Sequence, residues 1–237
     1  MYPFFLITAF IAEVIGTIAG FGSSTIALPL ALLFLDFKTA LVLVAFLHIF
    51  GNIGRISFFR FGVDKKILLK FGAASVLFTV IGALLVSYTP QNTLKGLLGL
   101  FLIIYAILSW SGKIKIKTSD TTTLVGGSVS GFFAGLIGTG GALRGAFLTS
   151  FQLTKEKYIA TSAAIALAVD ATRLPIYLKE GYLDRSLYWF IPVIFFTAIA
   201  GSFAGKKIVD KIPQAFFKKC VLVAIFSIGI KFVVDWL

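Results

Sequence analysis

The chain has 237 residues, 58% of them apolar and 14% charged, with 22 Lys and Arg against 10 Asp and Glu. That charged share is about half of what a soluble globular domain carries, so most of the chain belongs in lipid. The net charge of +12 then reads as the basic bias of membrane loops, not as a nucleic-acid footprint. One cysteine, Cys220, excludes an intrachain disulfide and a thiolate metal site, and one histidine, His48, excludes a bis-His haem within the chain. No metal or cofactor is expected.

In chain order, helical pieces are predicted at 3–20, 23–35, 38–58, 66–88 and 93–111, then at 122–137, 140–152, 156–177, 185–205 and 214–236. The first begins MYPFFLITAFIAEVIG, with no basic start and no small-x-small cleavage site, and is read as a retained helix. It holds Glu13, which can carry a proton or bond a neighbouring helix. The second follows the bend GFGSST (20–25). At roughly 13 residues and about 20 Å it falls short of a bilayer core of about 30 Å, and is expected to turn back toward the side its predecessor came from. The third carries His48, Asn52 and Arg55. His48 is either a packed histidine or one that titrates near neutrality. Arg55 has no acid beside it in sequence, which leaves it to snorkel to the cytoplasmic interface or to touch a ligand. Most of the fourth falls in 71–94, a run without a charge.

After the hydrophilic stretch near 113–122 the pattern resumes. The sixth piece runs into AGLIGTGGALRGAF (134–147), where a second bend at 137–141 precedes a second short piece. Arg144 lies about one turn into that piece. The eighth holds Asp170 and Arg173, three apart, which either neutralise each other or serve a site; Pro175 is predicted to kink it.

Self-comparison finds a repeat. GTIAGFGSSTIALP (16–29) aligns with GFFAGLIGTGGALR (131–144), NIGR (52–55) with DATR (170–173), GVD (62–64) with GYLD (181–184), and PQNTLKG (90–96) with PQAFFKK (213–219). The chain divides into a first repeat, 1–112, a cytoplasmic linker, 113–121, and a second repeat, 122–237. If each short piece closes a hairpin, the stretches 55–70, 113–117, 155–157 and 206–219 share one side and hold fifteen Lys and Arg. The other side holds five: Lys38, Lys95, Lys179, Arg185 and Lys231. This bias favours the hairpins and puts both termini in the periplasm. A hairpin plus three spans is an odd number of crossings, so the second repeat is inverted. The expected fold is an all-α membrane protein of two inverted repeats, each a short helical hairpin plus three transmembrane helices.

Inverted repeats with short, glycine-interrupted pieces at matching positions point to a secondary transporter's central site. Irregular backbone at membrane depth is tolerated only where it is buried or lines a cavity, and each bend exposes a helix N-terminus that favours anions. The expected substrate-binding residues are Gly22, Ser23, Ser24 and Thr25 from the first bend, Thr139, Gly140, Gly141 and Arg144 from the second, and Asn52 and Arg173. Arg144 supplies a fork for an oxyanion. Gly16, Gly131 and Gly145 have helix packing as a competing reading. Glu13, His48 and Asp170 are the candidates for proton coupling.

GTIAGFGSSTIALPL (16–30) and AGLIGTGGALRGAFL (134–148) resemble the sulfite exporter TauE/SafE family, also described as organosulfonate permeases, and the resemblance covers essentially the whole chain. It implies transport of sulfite, sulfonates or related small anions across a prokaryotic inner membrane. Members often carry glycine, a small residue and proline at the first bend. Here Pro29 is kept, while Arg144 stands at the matching place in the second half, which suggests an asymmetric site. The expectation is a secondary transporter exporting sulfite or an organosulfonate by alternating access, not an enzyme, with the lipid bilayer and a small anion as partners and a homodimer left open. A passive anion channel and a membrane-embedded enzyme subunit are the alternatives. The latter has little material in one His, one Cys and few buried acids, and no phosphate-binding loop for ATP is present.

Overall fold

All ten predicted pieces are helical in the computed structural model, which describes residues 2–19, 22–58, 62–112, 116–208 and 214–237. There is no strand among them. The helices are α1 (Tyr2–Ala19), α2 (Ser24–Ala31), α3 (Phe37–Phe58), α4 (Lys65–Tyr88), α5 (Gln91–Ser111), α6 (Asp120–Ile137), α7 (Gly141–Thr149), α8 (Lys155–Lys179), α9 (Phe190–Ile208) and α10 (Gln214–Val234). Within α4, Leu68–Gly72 winds as a π-turn. Among the described residues five helices, α3, α4, α5, α8 and α9, are long and apolar enough to cross a membrane. The chain is a multi-pass membrane protein.

Polar residues set the ends. Ser119 and Thr122 form a capping box at the start of α6, and the Asp64 carboxylate accepts from the Ile67 amide at 3.0 Å at the start of α4. Gly112 and Gly138, at φ +62° and +74°, close α5 and α6 in the left-handed region. Three helices differ from expectation by three residues or more at an end. The short pieces are shorter still, at 8 and 9 residues, because the chain leaves helix after Ala31 and after Thr149. Pro29 has no N–H for the Thr25 carbonyl, which weakens α2 from inside. α9 begins at Phe190, not 185, with Pro192 in its first turn, where a missing N–H costs no helix bond. Pro175 lies inside a continuous α8.

Packing rests on small residues, as expected where apolar surface gains nothing by leaving lipid. Gly127, Gly131 and Gly135 form a stripe on α6 that meets α4 so closely that a Cβ on any of them would strike a backbone carbonyl there. The Ser75 and Thr79 hydroxyls of α4 donate across that contact to the Gly127 and Gly131 carbonyls, both at 3.0 Å. Gly201 and Gly205 of α9 meet Glu13 and Thr17 of α1 in the same manner. Large apolar side chains such as Phe4, Leu77, Ile107 and Phe196 face outward. The pairing of helices has an exchange symmetry: α1 packs on α9 as α6 does on α4, α3 on α9 as α8 on α4, and α3 meets α8 as α5 meets α10. The most buried long helices are α3 and α8, and they carry Arg55, Asp170 and Arg173, three of the five charged residues buried among the described ones.

Candidate functional site

The two bends meet. Thr25 Oγ1 of α2 and Thr139 Oγ1 of the second bend share a hydrogen bond of 2.8 Å across 114 residues of sequence. Around this junction a cavity is lined by Ser24, His48, Gly138, Gly140, Gly141, Arg144, Asp170 and Arg173, with Ala134, Ala166 and Val169 as its apolar wall. It has room for about one water. No side chain caps the start of α2 or α7, whereas the surface starts of α6 and α8 are capped by Ser119 and Thr154. The Ser23 hydroxyl, in the capping position for α2, donates instead to Glu13. Gly22, at φ +98°, lies against the ring of His48, where a Cβ would strike Nε2 and come to 3.5 Å from Arg144 Nη2.

Three guanidiniums, Arg55, Arg144 and Arg173, and two carboxylates, Glu13 and Asp170, are buried among the described residues, a formal excess of one positive charge with His48 neutral. Their arrangement is specific. The Asp170 carboxylate takes Arg173 Nη2 at 2.7 Å and Nε at 2.8 Å on one oxygen, while the other lies 2.7 Å from His48 Nδ1. Arg173 Nη1 also donates to the Ala134 carbonyl at 2.7 Å. The His48–Asp170 contact meets an ion-pair distance but falls short of hydrogen-bond geometry, and His48 Nε2, buried, has no hydrogen-bond partner. Arg144 Nε donates to Ser162 at 3.1 Å.

A second cluster lies beside the first. Arg55 is 2% exposed; its Nη2 meets Glu13 Oε2 at 2.5 Å, Nη1 meets Asn52 Oδ1 at 2.7 Å and Nε meets Thr17 Oγ1 at 3.1 Å. Ser202 of α9 donates to the same Glu13 oxygen at 3.1 Å. Arg55 is therefore neither a spare charge nor a snorkelling one. Its acid comes from α1, where Arg173 takes its acid from its own helix. Glu13 fits because Gly51 opposes it, and a Cβ there would collide with the carboxylate. Gly16 packs as expected, but against the bend: a Cβ would lie 2.5 Å from the Ser23 backbone.

Of the expected site residues, Ser24, Gly140, Gly141, Arg144, Arg173, His48 and Asp170 line the cavity, with Gly22 against it. Thr25 and Thr139 fasten the bends together. Ser23, Glu13 and Asn52 belong to the Arg55 cluster, where Asn52 Nδ2 is buried without a hydrogen-bond partner. Ser162 went unnoticed in the sequence, as did Ser130, which donates to the Gly140 carbonyl at 2.9 Å. Helical spacing offered a signal for Ser162. It stands on one stripe of α8 with Ala166, Asp170 and Arg173.

Comparison with known proteins identifies the family. The model of the family described as Sulfite exporter TauE/SafE matches residues 5–232. A probable membrane transporter protein of Methanocaldococcus jannaschii is 27% identical over 229 residues, covering 87% of this chain and 84% of that protein. No solved structure matches.

Proposed function

The chain belongs to the sulfite exporter TauE/SafE family and is a membrane transporter, and from that premise we propose that it exports a small sulfur oxyanion, sulfite or an organosulfonate, by alternating access about the cavity between the two bends. The observation that carries this is the convergence of two uncapped helix starts, Arg144 and His48 on one buried cavity. Amide groups at helix starts and a guanidinium fork are the donors that oxyanions take up. With room for about one water, the cavity is too small for a sulfur carrying three oxygens. The substrate enters only if helices part, which favours a carrier over an open channel. The exchange symmetry of the helix pairing and the Thr25–Thr139 junction support two inverted repeats rocking about the site. On this reading the protein sits in a prokaryotic inner membrane with both termini periplasmic.

Counterflow in proteoliposomes tests the proposal. Internal unlabelled sulfite is expected to accelerate uptake of labelled sulfite, as a carrier requires. Flux without such trans-stimulation would make the protein a pore, and no flux of sulfite or sulfonate would remove the substrate class.

A further inference from the structure

We infer that His48 takes up one proton with each anion bound, so that the proton travels through the carrier with its substrate. This rests on the anion-site reading above and adds the coupling ion to it. The argument starts from the two ring nitrogens. Nδ1 lies 2.7 Å from the Asp170 carboxylate, whose negative charge favours the proton of a neutral imidazole on that nitrogen. Nε2 of the neutral ring is then a lone pair. It is buried and lacks a hydrogen-bond partner, and His48 belongs to the wall of the cavity that Arg144 shares. A lone pair there repels an oxyanion. Protonated, the same nitrogen donates to it, so filling the site and charging the ring favour each other.

The surrounding charges act in the same direction. From α8, Asp170 faces Nδ1 and holds Arg173 behind it; from α7, Arg144 faces the cavity side; on α3 itself Arg55 follows two turns later, paired with Glu13 of α1. The neighbours from α2, α6 and the second bend are Ser24, Ala134, Gly138 and Gly140, none of them ionisable. Without an anion, an imidazolium would add a positive charge to the buried excess of one. An anion beside Arg144 and Nε2 offsets that repulsion. Glu13 and Asp170 are each matched by a guanidinium already, which leaves His48 as the buried group whose charge the substrate can change. The proton comes from the water that reaches the opened site. The new N–H bond forms at Nε2, and it breaks again on release at the other side.

His48 is the only histidine of the chain, so histidine labelled with nitrogen-15, in protein purified without a histidine tag, gives one unambiguous ring signal. The probe is methanesulfonate, whose own charge is constant between about pH 5 and 8, the range in which histidine switches. At neutral pH the ring is expected to be neutral with its proton on Nδ1, and to become imidazolium on saturation. Calorimetry in buffers of different ionisation heat should find close to one proton taken up per anion, and affinity should fall about tenfold per pH unit above the histidine's own transition. In His48→Gln, whose amide is a fixed donor, that pH dependence and the proton uptake should both vanish. A ring that stays neutral when the site is saturated overturns the inference, as does wild-type binding without proton uptake. Because both are read on the wild type, a poorly folding variant cannot hide the answer. Saturable binding without proton uptake leaves the anion site standing and removes only the coupling; absence of any binding by the wild type removes both.

Discussion

Arg144 shows how much one side chain can hold. Its guanidinium is 2% exposed, it is anchored by Ser162 at 3.1 Å, and it borders the cavity beside His48 and the start of its own helix. An ammonium in its place keeps the charge and loses the two-pronged fork, so Arg144→Lys should weaken sulfite binding in detergent. Arg144→Ala should cost about 2–5 kcal/mol of binding, the range for removing one partner of a desolvated charge pair. Unchanged affinity in Arg144→Ala would mean that helix ends alone hold the anion. Gly16 is the other position where a single atom decides. A Cβ 2.5 Å from the Ser23 backbone has rigid main chain on the far side and nothing flexible to displace. Gly16→Ala should therefore reduce transport as strongly as Ser24→Leu, which fills the cavity directly. Near-normal flux in Gly16→Ala would show that the first bend can shift without harm.

Between elements, the Glu13–Arg55 pair joins α1, α3, α9 and the first bend through Ser202 and Ser23. Breaking a buried pair by removing one partner strands a charge, at a cost of about 3–5 kcal/mol. Glu13→Ala and Arg55→Ala should each lower the unfolding temperature in detergent markedly. The double change Glu13→Gln with Arg55→Gln should cost less than the sum of its two single changes, and simple additivity would mean that the pair is not coupled. Arg55→Lys should also be harmful, since one ammonium cannot meet Glu13, Asn52 and Thr17 in three directions. The contact of α4 with α6 tests a different force. Gly131→Val inserts bulk against the Ser75 carbonyl, and overpacking of this kind costs about 1–3 kcal/mol. A stable, active Gly131→Val protein would show that α4 and α6 can separate.

For the whole molecule the decisive quantity is orientation. Arg55 is buried and paired, so it leaves the tally of loop charges, and the count becomes fourteen to five after fifteen less one. The bias survives, and on the proposed topology 113–117 faces the cytoplasm; Lys113 and Lys115 lie outside the described residues. A reporter fused after Lys117 should behave as cytoplasmic and one fused after Leu237 as periplasmic. Both fusions on one side would rule out a pair of inverted repeats, whatever the helix pairing suggests. Alternating access also makes a mechanical demand. The proposed carrier has to open a cavity that lies beside the bond between Thr25 of α2 and Thr139 of the second bend.

The sequence by itself determined the helices, their order and the family, and it singled out many of the residues that line the buried cavity. Those follow from runs of apolar residues, from glycine-rich bends and from a repeat, all of which are local or periodic signals that survive without coordinates. Seven of the residues expected to bind substrate or a proton share one buried cavity. Tertiary structure decided which charges belong together. Nothing in the spacing of Glu13 and Arg55, 42 residues apart, announces their pair, and neither the His48–Asp170 contact nor the Thr25–Thr139 bond has a counterpart along the chain. The reason is physical. A buried ion finds its partner wherever packing brings one within reach of its fixed hydrogen-bonding directions, and in this protein the packing is set by glycines that let helices distant in sequence approach to backbone contact.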